Sequence, residues 1–418
     1  MLMKKLYMLP ALAILMSIAL IGCGSDENTI EFWTPLTGDD GVYMDELVKA
    51  YNETDPEIEV KHVITSEMYT KMYTVLNSGS GIPDLALIHA DRVPSFVKQD
   101  LLEPMTKVLD AQSEIKEENY LDEAWSAGNI DGTQYTVPLD IHGSAMYYNK
   151  DLLEKYDVEH FLDDDVITFD EILSLQGKLD DGDYVVNDAL LSWVILAQIQ
   201  NLDGDIQVDG DPAVNTPEMK EAIEAIKEIA DAGLMTPFGE DGYLMFQSGN
   251  VLFSTDGTWS STAHEDAGLN FGVTNIYAFE PDKFTNRSSS HLFSMLKNEE
   301  RSDEKEEGIG EFLEFIRENS IEWAEAGQIV ASKDVVESPD YDQFMQSFFT
   351  SNEKETESLY IYTYEHYPYV AEALDDYVAE IVHGEIDLEQ GLEDMQKFVD
   401  DKVAEGSLDI ENAETEEE

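Results

Sequence analysis

Between Thr29 and His62 the chain switches from a two-residue hydrophobic period to a helical one and back, and that switch limits it to folds built on parallel strands. Ile30 and Phe32 alternate with polar neighbours, a strand pattern. Thr37 to Gly41 supplies a turn with N-cap residues, and Met44, Leu47, Val48 and Tyr51 then follow at helical spacing. The spacing predicts a helix from near Gly41 that ends before Pro56, followed by a second strand through Ile58, Val60 and His62. Strand, helix and strand at this distance require a right-handed crossover and parallel pairing. Leu85 to Ile88 reads as a third, fully buried strand, and helix–strand alternation continues along the chain without an internal repeat. Open parallel sheets bind ligands at the carboxyl ends of their strands. That places the first candidates in Trp33 through Asp40 and in His89 through Arg92.

Charge narrows the partners. The 418 residues hold 24 basic and 90 acidic side chains, a net charge of −66. Nucleic acid is excluded as a partner, since phosphate backbones need clustered Lys and Arg, and an anionic membrane surface would repel the chain. An apolar fraction of 43% rules out wholesale disorder. The acidity fits life in high salt or alkali, where counterions screen carboxylate repulsion; simple solubility is the blander explanation.

Residues 1–22 read as an export signal. Lys4 and Lys5 precede an almost unbroken apolar run from Leu6 to Ile21, short for a membrane span and ending in small residues. The junction Leu20-Ile21-Gly22-Cys23 resembles the bacterial lipobox, which implies lipidation of Cys23 and membrane attachment through residues 23–28. Cys23 is the only cysteine, so no internal disulfide forms. Residues 407–418 are expected to be an acidic disordered tail, and Lys297 to Gly308 a charged surface stretch without chemistry.

Several short signatures follow one another in a telling order. Pro83-Asp84-Leu85-Ala86-Leu87 precedes His89-Ala90-Asp91-Arg92. Gly132 to Pro138 precedes Met146-Tyr147-Tyr148-Asn149-Lys150-Asp151-Leu152. Phe246-Gln247-Ser248-Gly249 then leads to Asp256-Gly257-Thr258-Trp259, and Ala324 to Gly327 and the late helix Leu388 to Val399 complete the set. From Thr29 to about Gly406 this order resembles the extracellular sugar-binding proteins of ABC importers, the family that includes the maltose-binding protein. The resemblance implies an α/β fold of the two-lobed periplasmic-binding-protein type (type II), each lobe a mostly parallel sheet flanked by helices. Lobe one is expected at 28–139 plus 270–328 and lobe two at 140–269 plus 329–406. It implies a monomer that takes a carbohydrate ligand and hands it to permease subunits, with no cofactor, no metal and no catalysis.

A sugar offers hydroxyl pairs at its rim and C–H patches on its faces, so its site should mix acids with flat rings. By the match, Asp39 and Asp40 fall on a sugar-contacting Asp-Lys pair, with Asp40 replacing the lysine donor. Asp91 and Arg92 fall on a sugar-contacting Asp-Arg pair, and Arg92 is one of only four arginines; a surface ion pair is the plainer reading. His142 matches a contacting glutamate, with neighbouring Asp140 as substitute. Trp259 matches a stacking tryptophan, and Trp33 ends the first strand. Trp193 lies in the apolar helix Leu190 to Ile199, where burial and cleft exposure are both open. Tyr364, Tyr367 and Tyr369 fall near a further ring position, and Trp323 is expected to pack a helix. After Gly327 the family's proline is missing from Gln328 to Ser332, which leaves the second hinge crossing open.

Two rivals remain. A secreted glycosidase would also use carboxylate pairs, but the chain has no nucleophile elbow, zinc-protease motif, phosphate loop or complete EF-hand, and its eight histidines are scattered in sequence. A binding protein for glycerol phosphate would want several cleft cations, though one arginine can suffice. From the acidity, the melting temperature should rise steeply with added NaCl, and a flat thermal-melt response between low and molar salt contradicts the high-salt reading.

Overall fold

The computed structural model describes residues 28–406, leaving aside the side chain of Asp39. Cys23, the export signal and the tail 407–418 lie outside the described residues, so the expectations placed on them are not addressed by the fold. The first strand, Thr29–Thr34, pairs in parallel with Glu59–Ile64 on one side and Leu85–His89 on the other. The crossover helix runs Asp39–Asn52, starting two residues earlier than its hydrophobic period suggests. Its last residue ties it to the next strand, since Asn52 donates to the Val60 carbonyl and accepts from the Val60 N–H. Along Thr29–Thr34 the even-numbered residues are buried, which carries Ile30 and Phe32 into the core against Met44, Leu47 and Phe312.

His291–Leu296 returns from far along the chain to pair antiparallel with Leu85–His89, and Leu102–Glu103 and Thr136–Pro138 add to it in the same sense. A second sheet runs in the order Leu359–Ile361, Asn286–Ser289, Asp140–Asn149, Val251–Gly257, Tyr184–Val186. Its spine is Asp140–Asn149, buried at every residue but one, which also takes Phe271–Thr274 and Ile329–Val330. The apolar faces of helices Leu191–Asn201, Pro217–Asp231, Tyr367–Val382 and Leu388–Glu405 close the core of this lobe.

The two-lobed α/β architecture is present, with two corrections. Both sheets are mixed rather than mostly parallel, because Asp140–Asn149 is antiparallel to each neighbour it pairs with and His291–Leu296 is antiparallel to each of its own. Phe271–Thr274, expected in lobe one from residue 270 onward, belongs to the second sheet, and the chain returns to the first only at His291. Periodicity identifies a strand but not its sheet, which depends on partners far away in sequence. Three segments cross between the lobes side by side. Leu139 N–H donates to the His291 carbonyl at 2.9 Å, and Ala331 N–H donates to the Leu139 carbonyl at 3.1 Å. The crossing without proline is therefore an ordinary strand, Ile329–Val330, paired with Asp140 and Ile141.

The segment expected to be a charged surface stretch, 297–308, is partly interior. Ser302 caps the helix Asp303–Asn319 by accepting from the Lys305 N–H. Lys305 then reaches Asp84 at 2.7 Å, with both side chains about 95% buried; Asp84 also accepts the Glu31 N–H. Arg301 is buried against Glu103 at 2.5 Å. Carboxylates taken out of water need a partner cation, and a run of charged letters does not reveal which of them fold inward. Among the described residues no helix is long and apolar enough to cross a membrane. Lys305→Ala would strand the buried Asp84 carboxylate, so it should cost about 3–5 kcal/mol, read as a lowered unfolding midpoint; an unchanged midpoint would show that Asp84 finds another partner.

Candidate functional site

A cleft with a cavity volume of about 1510 Å³ opens between the lobes, at the carboxyl ends of the first sheet's parallel strands. Its floor is laid by the strands that cross between the sheets. His89 ends Leu85–His89, and His291 is its direct partner across the antiparallel pair. His142, opposite Ser289, comes from the start of the long strand of the second sheet. The three imidazoles meet with ring centroids 4.9 Å (His89 to His291), 4.2 Å (His142 to His291) and 5.7 Å (His89 to His142) apart.

Under this floor lies Asp140, with no exposed surface. One carboxylate oxygen accepts from the His291 backbone N–H at 3.0 Å and lies 3.2 Å from His142 Nδ1. The other accepts from the Trp323 indole at 2.8 Å and pairs with His291 Nδ1 at 2.8 Å. These contacts set the protonation pattern. Burial and the two neighbouring imidazoles hold His89 well below the ordinary histidine value, and burial and His291 lower His142 to about 4. Burial would lower His291 too, but the charge of Asp140 outweighs it and the net shift is upward. Burial pushes Asp140 the other way from His291 and His142, and the histidines prevail, holding it far below the usual carboxylate range. The charge of Asp140 thus favours a proton on His291, while burial disfavours one on His89 and His142.

The walls carry rings and cations. Trp259 follows the strand Val251–Gly257 and keeps 39% of its surface exposed. A Cβ on Gly257 would meet its ring at 2.2 Å, so only glycine lets the indole fold back against the strand end. Trp193 stands nearly perpendicular to Trp259 at 5.9 Å. The Arg287 guanidinium lies over the Trp193 ring at 3.8 Å and donates to the Tyr367 hydroxyl through Nε at 2.9 Å. No carboxylate pairs with Arg287 among the described residues, and its buried Nη1 has no hydrogen-bond partner. Opposite, Arg92 pairs with Asp91 at 3.2 Å and lies over the Tyr69 ring at 4.7 Å.

Asp40, Asp91, Arg92, His142, Trp193, Trp259 and Tyr367 all line the cleft, as does Tyr369. The side chain of Asp39 lies outside the described residues. Two expected residues are placed elsewhere. Trp33 packs beside Met68, Met72 and Ala86 and donates to Glu31 at 2.8 Å, because strand alternation turns it to the face covered by the helix Met68–Ser78. Asp140 lies beneath the floor with its oxygens already engaged, so it positions histidines rather than reaching the cavity. Tyr364 is turned to the Gly210 carbonyl. His291 and Arg287 were missed: nothing near them in sequence signals a site, and strand pairing alone delivers them. The scarcity that singles out Arg92 applied equally to Arg287. Asp140→Ala would leave the Trp323 indole and the His291 N–H groups buried without an acceptor; the expected loss is about 3 kcal/mol or more, and denaturant unfolding at wild-type stability would refute the hub.

The model of the family described as bacterial extracellular solute-binding protein matches residues 46–347. The chain is 23% identical over 357 residues to the galactooligosaccharide-binding protein of Bacillus subtilis (strain 168), covering 77% of this chain and 80% of that protein. It is 21% identical over 354 residues to the sn-glycerol-3-phosphate-binding periplasmic protein of Agrobacterium fabrum, covering 77% of each. In fold it is similar to the sugar-binding protein MalE of Xanthomonas citri, with a TM-score of 0.76, 16% identity, and coverage of 90% of this chain and 97% of that one.

Proposed function

The chain belongs to the bacterial extracellular solute-binding protein family, and from that premise we propose that it captures a sugar or oligosaccharide in the inter-lobe cleft and delivers it, chemically unchanged, to the permease of an ABC importer. The observation that carries this reading is the pair of near-perpendicular indoles, Trp259 and Trp193, in one wall of a large cleft otherwise rich in acids, imidazoles and arginines. Flat rings cover the C–H faces of a pyranose while carboxylates and imidazoles take its hydroxyls. The name of the galactooligosaccharide-binding relative agrees with that chemistry. Attachment to the outer face of the membrane through lipid on Cys23 completes the reading and rests on the lipobox resemblance alone.

Ligand contacts come from both lobes. Asp91 and Arg92 follow a strand of the first sheet, whereas Trp193, Trp259 and Tyr367 belong to the second lobe. Only a closed form touches a solute from both sides, so the solute stabilises closure, and the permease would recognise that closed shape. A second reading has its own support. Arg287 is a buried cation with no carboxylate partner among the described residues, which suits a solute with one anionic group such as glycerol phosphate.

A thermal-shift screen separates the two, because a ligand of the native state raises the melting temperature. Neutral oligosaccharides should raise it, and Trp259→Ala should weaken their binding tenfold or more, about 1.4 kcal/mol, with the ligand-free melting temperature unchanged. A response to glycerol phosphate alone, abolished by Arg287→Met, would replace the sugar reading with the anionic one. Silence across both sets would sink both.

A further inference from the structure

We infer that the cleft floor is a zinc-type metal site, with His89, His142 and His291 as its three protein ligands and a fourth position open to the cleft. One ring nitrogen from each histidine lies within 4.8 Å of the other two. The second nitrogen of every ring is already engaged. His89 Nδ1 is 2.6 Å from the Tyr69 hydroxyl, which also accepts the His89 backbone N–H. Asp140 holds the Nδ1 of His142 at 3.2 Å and of His291 at 2.8 Å. No protein group bonds any of the three Nε2 atoms among the described residues, so these are the nitrogens left to share a ligand.

That pattern is what a metal site requires. Ligating histidines give their other ring nitrogen to a carboxylate, a carbonyl or a comparable acceptor, which fixes tautomer and ring direction. Here one buried carboxylate serves two of them and a tyrosine serves the third. Simple packing accounts for it less well, because it leaves three imidazoles gathered in the floor with no protein partner on any Nε2 among the described residues. Closing to a tetrahedral ion with bonds of about 2.0–2.1 Å would bring the nitrogens to roughly 3.4 Å from each other. A coordinating imidazole binds through a deprotonated nitrogen, so any proton on a ligating Nε2 leaves to solvent.

The donor set also chooses the ion. Imidazoles suit zinc, copper, iron and nickel, whereas calcium and magnesium demand oxygen. The many surface carboxylates therefore compete weakly for the same ion. Three protein ligands with one open position is the arrangement of zinc sites that accept an outside ligand, and here the opening faces the cavity, where a solute oxygen could enter. His89 and His291 belong to the first sheet and His142 to the second, so the ion would join the lobes at their crossing.

The site is independent of which solute the protein carries, and the test uses none. The full chain, stripped with a chelator, is titrated with zinc by calorimetry in NaCl and with cobalt by visible absorption. One equivalent of zinc should bind, cobalt should show the intense bands of a tetrahedral ion, and zinc should raise the melting temperature. His89→Ala, the change that leaves the Asp140 contacts intact, should weaken zinc by more than the roughly 10–100-fold that loss of an outer-shell partner costs. His160→Ala, at an exposed histidine far along the chain, should change nothing. Absent or many-site zinc binding by the wild-type chain overturns the inference without any variant having to fold, and so does binding indifferent to His89. Zinc binding without any sugar response would instead defeat only the proposed function.

Discussion

The arrangement of this molecule turns on one carboxylate. Asp140 sits with no exposed surface where three strands cross between the sheets, and four groups converge on it: the His291 N–H, His291 Nδ1, His142 Nδ1 and the Trp323 indole. A buried charge is costly unless it is paired and fully hydrogen-bonded, so each partner must be held where it stands. Trp323 brings in the helix that precedes the third crossing, and His291 brings in the strand of the second. The floor of the cleft is therefore tied to the strands of the crossing.

The same rule governs the scarce cations. Three of the four arginines are buried and the fourth, Arg92, is partly so, in a chain of net charge −66. Arg301 pairs with Glu103 and Arg317 with Glu314 and Asp334, where they hold structure together. Arg92 and Arg287 face the cleft, the first with an acidic partner and the second with none among the described residues. The surface is left to carboxylates and to lysines such as Lys49, Lys61, Lys98 and Lys397. A cleft that gathers two guanidiniums and three imidazoles is thus chemically distinct from the surface around it, and an incoming solute or ion meets a different field there.

Much of the fold was legible from residue order. The first strand, its crossover helix and the two strands beside it follow from Ile30, Phe32, Met44, Leu47, Val60 and Leu85, because each reports a local period. Trp193 shows the limit of that reasoning. It sits in a helix apolar on nearly every side, so periodicity could not say which face meets the core, and only the packed second lobe turns it to the cavity. Trp33 shows the reverse error: the end of a strand was correctly located, but strand alternation turns this side chain to a face that a helix later in the chain covers.

What the sequence by itself determined was the class of fold, the acidity of the surface and the wall residues carried by local motifs, since periods, charges and short turns are properties of neighbours along the chain. What only the tertiary structure decided was which sheet each later strand joins and which distant side chains share the cleft floor. His89, His142 and His291 are scattered in sequence and meet through strand pairing. Pairing depends on the register between segments far apart along the chain, and no local pattern encodes that register.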